Sequence, residues 1–325
     1  MKRALAAVAL AVASGCGTFE DPAIVIDLRP LAMVADPPEQ LIPYDPSKPP
    51  DPTTIHLLPV EMCALIADPG AHRALDFTMT ACPQQNDDRC DPTEPSFLIG
   101  GGTIDDPEDA PTPQPACARM EANADLFAVV EQALKDDPLN GFSSVDIQVV
   151  MTVNPQGGLP DTQVFASKAV VFGTQQPADR TPNHNPTLTE LDWTRTDTSS
   201  GPLVLGRCID QGSPLEVAAG ESLALLPIEP AGAREAYVVP TFDGGETHIT
   251  ENLSYDWLAT GGDWLTASTG GPRDGFGNEP PLGTVWTAPA GPSPARPSID
   301  SCRAGRTGWP PGSCSRSWPR WSSTT

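Results

Sequence analysis

The sequence predicts a mainly all-β protein: two β-sandwiches, one short helix inserted in the first, and a disordered tail that joins neither. Three observations carry this. Pro and Gly number 39 and 28 in 325 residues, which disfavours long helices and demands frequent turns. Short apolar runs alternate with polar residues at strand period between Gly, Pro and Asp turns. One stretch alone has helical periodicity with a cap at its start and a proline at its end. The length suffices for two cores.

Lys2 and Arg3 precede an apolar run, Ala4 to Ala13, too short to span a membrane, so residues 1–15 read as a signal peptide. "AVA" at 11–13 fits ordinary signal peptidase, with a cut before Ser14. "ASGC" at 13–16 resembles the bacterial lipobox, with Ala13 standing where leucine is usual. That resemblance makes Cys16 the lipidation residue, with acyl chains holding the protein on a bilayer and residues 16–22 as a tether. Gly17 stands where aspartate would favour inner-membrane retention, so the resemblance implies the outer membrane.

Cys63, Cys82, Cys90 and Cys117 read as two disulfides of an oxidising compartment. Three connectivities are possible; Cys82–Cys90, which closes "CPQQNDDRC", with Cys63–Cys117 is the favoured one. No CxxC occurs and the four histidines are isolated, so neither zinc nor any other metal or cofactor is expected.

Within 23–173, "IVIDL" (24–28), "LAMVADPP" (31–38) and "TTIHLLPVEMCALIADPG" (53–70) read as strands, the last two running into D-P turns. "DFTMTAC" places Phe77, Met79 and Ala81 on one face and Asp76, Thr78 and Thr80 on the other. The proline-rich stretches 43–52 and 105–115 read as loops. "NADLFAVVEQALKDDP" is the helix. Asn123 is its N-cap, Asp125 and Lys135 complement its dipole, and Pro138 stops it; Leu126, Val129, Val130, Ala133 and Leu134 form its apolar stripe. "VDIQVVMTV" aligns Val145, Ile147, Val149, Met151 and Val153 on one side and pairs through "NPQGGLPD" with "TQVFASKAVVF" as a hairpin.

Polar residues 174–186 read as a linker to a second unit, 187–290. Its segments "NPTLTEL" (185–191), "SPLEVAAGESLAL" (213–225), "LSYDWLATGGDW" (253–264) and "TVWTAPAGP" (284–292) resemble successive strands of bacterial immunoglobulin-like or PKD-type domains. The resemblance implies an immunoglobulin-like β-sandwich with Trp257 as its core tryptophan and Trp286 in the strand before a last hairpin.

From Gly291 to Thr325 the chain holds five Arg, eight Ser, six Pro and three Trp but one acidic residue, Asp300. Two readings fit: a genuine disordered basic tail, or a shifted reading frame that has replaced the final hairpin and left a sheet edge open.

Residues 4–290 carry 12 basic against 41 acidic side chains, a net −29, which repels phosphate backbones and excludes nucleic acid as a partner. G-x-S-x-G and P-loop patterns are absent, "GFGNEP" (275–280) lacks the context of a dinucleotide fingerprint, and no spacing singles out a triad. The carboxylate clusters at 86–94 and 104–110 offer oxygen ligands of the kind Ca²⁺ takes, but without EF-hand spacing they read as solvated loops. The expectation is a lipid-anchored outer-membrane protein, facing periplasm or surface, not an enzyme, that binds or spaces an envelope-protein or glycan partner. The alternative is a secreted accessory to a polysaccharide hydrolase, or a carbohydrate-binding protein.

Overall fold

Alternating apolar residues in the first half of the chain close two sheets around one core. The structure, a computed structural model, describes residues 21–43, 55–84, 89–105, 115–139, 141–142, 144–158, 162–196, 206–207 and 215–291. In chain order the first unit comprises β1 (Arg29–Asp36), β2 (Glu39–Ile42), β3 (Val60–Ala67), β4 (Leu75–Pro83), β5 (Phe97–Ile104), β6 (Ala116–Met120), α1 (Ala124–Asp136), β7 (Ser144–Pro155) and β8 (Val164–Thr174). One sheet runs β1-β3-β6 and the other β2-β8-β7-β4-β5, so the protein is mainly β with one helix among the described residues.

The alternation read in β4 and β7 sets the core. Phe77, Met79 and Ala81 point inward beside Val145, Ile147, Val149, Met151 and Val153, all buried. β7 and β8 form the expected antiparallel hairpin, with Val153 opposite Val164. α1 begins where Asn123 accepts a hydrogen bond from Leu126 N at 2.9 Å. It buries Leu126, Val129 and Ala133; Leu134, read as part of the stripe, is 38 % exposed because it lies at the rim.

β5, "FLIGGGTI", has no counterpart in the sequence reading. Its glycines are required by close approach: a Cβ on Gly101 would sit 2.5 Å from Phe77 O, and one on Gly100 would meet the Ala118 side chain at 3.1 Å. Two other readings need correction. β3 starts at Val60, because Pro59 has no N–H to give a ladder. "IVIDL" is not a strand of this unit. Val25 N donates to Ala259 O, and Ala259 N donates to Ala23 O, so the backbone there is bonded to the second unit.

That unit contains β9 (Glu190–Arg195), β10 (Gly206–Arg207), β11 (Ser222–Ile228), β12 (Ala236–Pro240), β13 (Glu246–Thr250), β14 (Ser254–Asp256), β15 (Asp263–Trp264), β16 (Ser268–Gly270) and β17 (Thr284–Thr287). A five-stranded sheet runs β10-β9-β11-β17-β15; β12-β13 and β14-β16 are separate antiparallel pairs. Leu191, Leu223, Leu225, Tyr255, Trp257 and Trp286 form its core. Trp257 Nε1 donates to Thr269 Oγ1 at 2.8 Å, and Trp286 Nε1 donates to Gly261 O at 2.9 Å, so both indoles are buried with their polar atoms satisfied. β9 starts at Glu190, five residues later than the resembling segment. β17, the last described strand, pairs with β11 on one side and β15 on the other, so no open edge is left at it. The tail from 292, with Cys302 and Cys314, lies outside the described residues, as do residues 1–20 with Cys16, residues 44–54 and residues 106–114, and with them most of the stretches 43–52 and 105–115 read as loops.

Candidate functional site

Cysteine placement follows from the sheets. Cys63 on β3 stands directly opposite Cys117 on β6, and the two are bonded, with Cα atoms 4.1 Å apart. Cys82, at the end of β4, is bonded to Cys90 across the short loop. Glu61 lies near Cys63 and Cys117, but with both sulfurs consumed in the bond this trio is not a metal-ligand set. Of the carboxylates in the two clusters, Asp91, Glu94 and Asp105 are described; Asp91 accepts from Thr93 N at 2.7 Å and Thr93 Oγ1 at 2.6 Å in a local turn. Residues 85–88 and 106–110 lie outside the described residues.

The concentration of buried charge lies where the units meet. The segment read as a linker is polar, as expected, but it is fastened rather than loose. Glu39 on β2 accepts from Arg180 Nη2 at 2.7 Å and, through its other oxygen, from Asn183 N at 2.7 Å. Asn185 Nδ2 donates to Ala35 O at 2.6 Å. His184 N donates to Glu235 Oε2 at 3.0 Å, with its Nδ1 3.1 Å from Glu235 Oε1. A connector of Pro, Asn and Asp cannot build core, but its backbone donors and amides can bind carboxylates, and here they do.

The second unit reaches this junction with a hairpin. β12 and β13 pair antiparallel from Ala236–Thr250 to Pro240–Glu246, outside any larger sheet. A lone two-stranded hairpin is marginal in water and needs a surface to lie on. At its tip, where Gly244 takes φ 80°, Phe242 stacks on Phe142 of the first unit with centroids 4.5 Å apart. At its base Glu251 N donates to Glu235 O at 2.9 Å, and Glu235 N donates back to Glu251 Oε2 at 3.4 Å. The hairpin is therefore a strap, held at both ends.

Electrostatics at the base are one-sided. Glu39, Arg180 and Glu251 are buried, and Glu39, Glu235 and Glu251 outnumber the single guanidinium. Burial pushes the Glu251 carboxyl up to about 7; hydrogen bonds from Glu235 N and the Asn183 side chain oppose this, and the charges of Glu235 and Glu39 add to it. Burial likewise raises Asp146 on β7, with Glu39 adding to it, and raises the Tyr237 phenol, with Glu251 and Glu39 adding. Asn183 bridges the units: its backbone binds Glu39, its side chain binds Glu251, and its Oδ1 is buried with no hydrogen-bond partner. The arrangement can exchange a proton near neutral pH. None of its residues stands out in the sequence, because they come from β2, β7, the connector and the base of the hairpin, and only the fold gathers them. No protein-family model matches the chain, and no curated protein is similar to it.

Proposed function

We propose that the protein is a lipid-anchored outer-membrane envelope protein, held through Cys16, whose two β units bind or space a partner without catalysis. The observation that supports the reading best is the pairing Cys63–Cys117 with Cys82–Cys90, the state expected in an oxidising compartment beyond the leader. The strap that joins the units into one body suits a spacer or binding module. Metabolic labelling with a palmitate analogue tests the anchor: label should enter the wild type, follow the membrane fraction, and vanish in Cys16→Ser. A soluble product starting at Ser14 would refute it. Screening the purified protein for glycan binding and glycan hydrolysis tests the rest, and turnover of a polysaccharide would replace the non-catalytic reading.

A further inference from the structure

We propose that the strap β12–β13 is a proton-operated latch, closed when Glu251 is protonated and released when Glu251 ionises. This goes beyond the envelope reading and does not depend on the lipid anchor.

The geometry carries it. Glu251 is 6 % exposed at the strap's base, and what surrounds it supplies too few donors for a carboxylate. The groups facing it are Glu235 on its own hairpin, Tyr237 on β12, Glu39 from β2, and Asn183 from the connector. His184 and Arg180 face Glu235 and Glu39 rather than Glu251, and Asp146 stands behind Glu39. Two of these neighbours are carboxylates, so ionised Glu251 is repelled where it sits. A protonated Glu251 has what the site lacks. Its O–H can donate to Asn183 Oδ1, the buried acceptor without a partner, while the Asn183 amide N–H donates to the other carboxyl oxygen. An acid–amide pair of this kind ties the strap to a residue whose backbone is already bonded to Glu39 of the first unit.

The sign follows from linkage. Glu251 binds its proton more tightly in the closed strap, where its pKa is about 7, than in water, where it is near 4.5. Rising pH across that window therefore shifts the equilibrium toward the open strap, by up to on the order of a hundredfold.

Hydrogen–deuterium exchange of the purified full chain, corrected for intrinsic exchange rates, reads this directly. Amides of residues 236–250 should be protected at pH 5.5 and lose protection about thirtyfold by pH 8.5, while β7 amides stay constant. Glu251→Gln, a neutral amide that reproduces the protonated pairing, should keep the strap protected at every pH. Glu235→Gln removes one repelling charge and should move the midpoint to lower pH, which decides the matter even if Glu251→Gln folds poorly. His184→Asn should leave the transition in place. Flat protection in the wild type, an unchanged transition in Glu251→Gln, an unmoved midpoint in Glu235→Gln, or loss of the transition in His184→Asn would each overturn the proposal.

Discussion

Arg180 and Glu39, 141 residues apart in the sequence, form an ion pair of 2.7 Å with only 6 % and 8 % of their surfaces exposed. Arg180 also donates through Nη1 to Thr174 O at 3.2 Å, so the guanidinium ties the connector to the end of β8 as well as to β2. Attraction between such groups roughly repays their desolvation while both are present. Removing one leaves the other buried and uncompensated.

Arg180→Ala is therefore expected to destabilise the protein by about 3–5 kcal/mol, and the double change Glu39→Leu with Arg180→Met by clearly less. Urea unfolding of the two variants checks this. Equal losses would mean that the pair itself contributes net stability.

The disulfides close loops of different length, with sequence separations of 54 and 8 residues. On the chain-entropy account, replacing Cys63 and Cys117 by Ala should cost about 4 kcal/mol, and replacing Cys82 and Cys90 about 2–3 kcal/mol. Calorimetry of the double-alanine variants gives the order. A larger loss for the short loop would point to packing of the Cys82–Cys90 segment rather than chain entropy.

Thr269 stands between Trp257 and Leu282: its Oγ1 accepts from the indole and donates to Leu282 O at 2.6 Å. Thr269→Val keeps the shape and deletes both bonds, leaving a buried indole N–H unpaired. A loss of about 1–3 kcal/mol is expected, accompanied by a change in tryptophan fluorescence from the second core. An unaltered melting curve would count against a sealed pocket around Trp257.

Glu251 also sets a pH dependence of global stability. Its folded pKa, raised to about 7, lies above its unfolded value of 4.5, so folding is helped by the proton at low pH and the help is lost as pH rises from 4.5 through 7. Subtracting the curve of Glu251→Gln isolates this group from other carboxylates, such as Asp76, which is held low by hydrogen bonds from Thr103 and Gln156. Relative to that variant, the wild type should lose on the order of 3 kcal/mol between pH 4.5 and 8. A difference curve without slope would mean that Glu251 is solvated in the folded protein.

Asn123→Ala should cost about 1 kcal/mol by leaving Leu126 N without its acceptor. Asn123→Ser should restore most of it, as measured by the same unfolding experiment.

Elements whose information is local were legible in the sequence. The stripe and cap of α1 sit within a single window, as does the alternation of β4 and β7; four cysteines allow three pairings, and the short Cys82–Cys90 spacing favoured the one observed. β5 was not legible, because Gly100 and Gly102 stand opposite the inward Met79 and Phe77 and so break its hydrophobic alternation. The strap was missed for a related reason. "AYVVP" and "ETHIT" bury no residue fully, so they lack the amphipathic signature of a sheet with a core of its own. The carboxylates at the junction were beyond reach altogether. Glu39, Glu235 and Glu251 are three among 42 acidic residues, and only the connector's path brings them together.

The bonds between Ala259 and the Ala23–Val25 stretch give the molecule a definite route for mechanical load. Tension applied to the chain ahead of Asp21 first meets Val25 N–Ala259 O at 2.7 Å and Ala259 N–Ala23 O at 3.0 Å, before it reaches β1. The second unit thus takes the first share of any pull, although it lies far downstream in the sequence. Force then passes back through the connector and the strap to the disulfide-stapled unit, so the two halves bear a load together rather than yielding one after the other like beads on a thread.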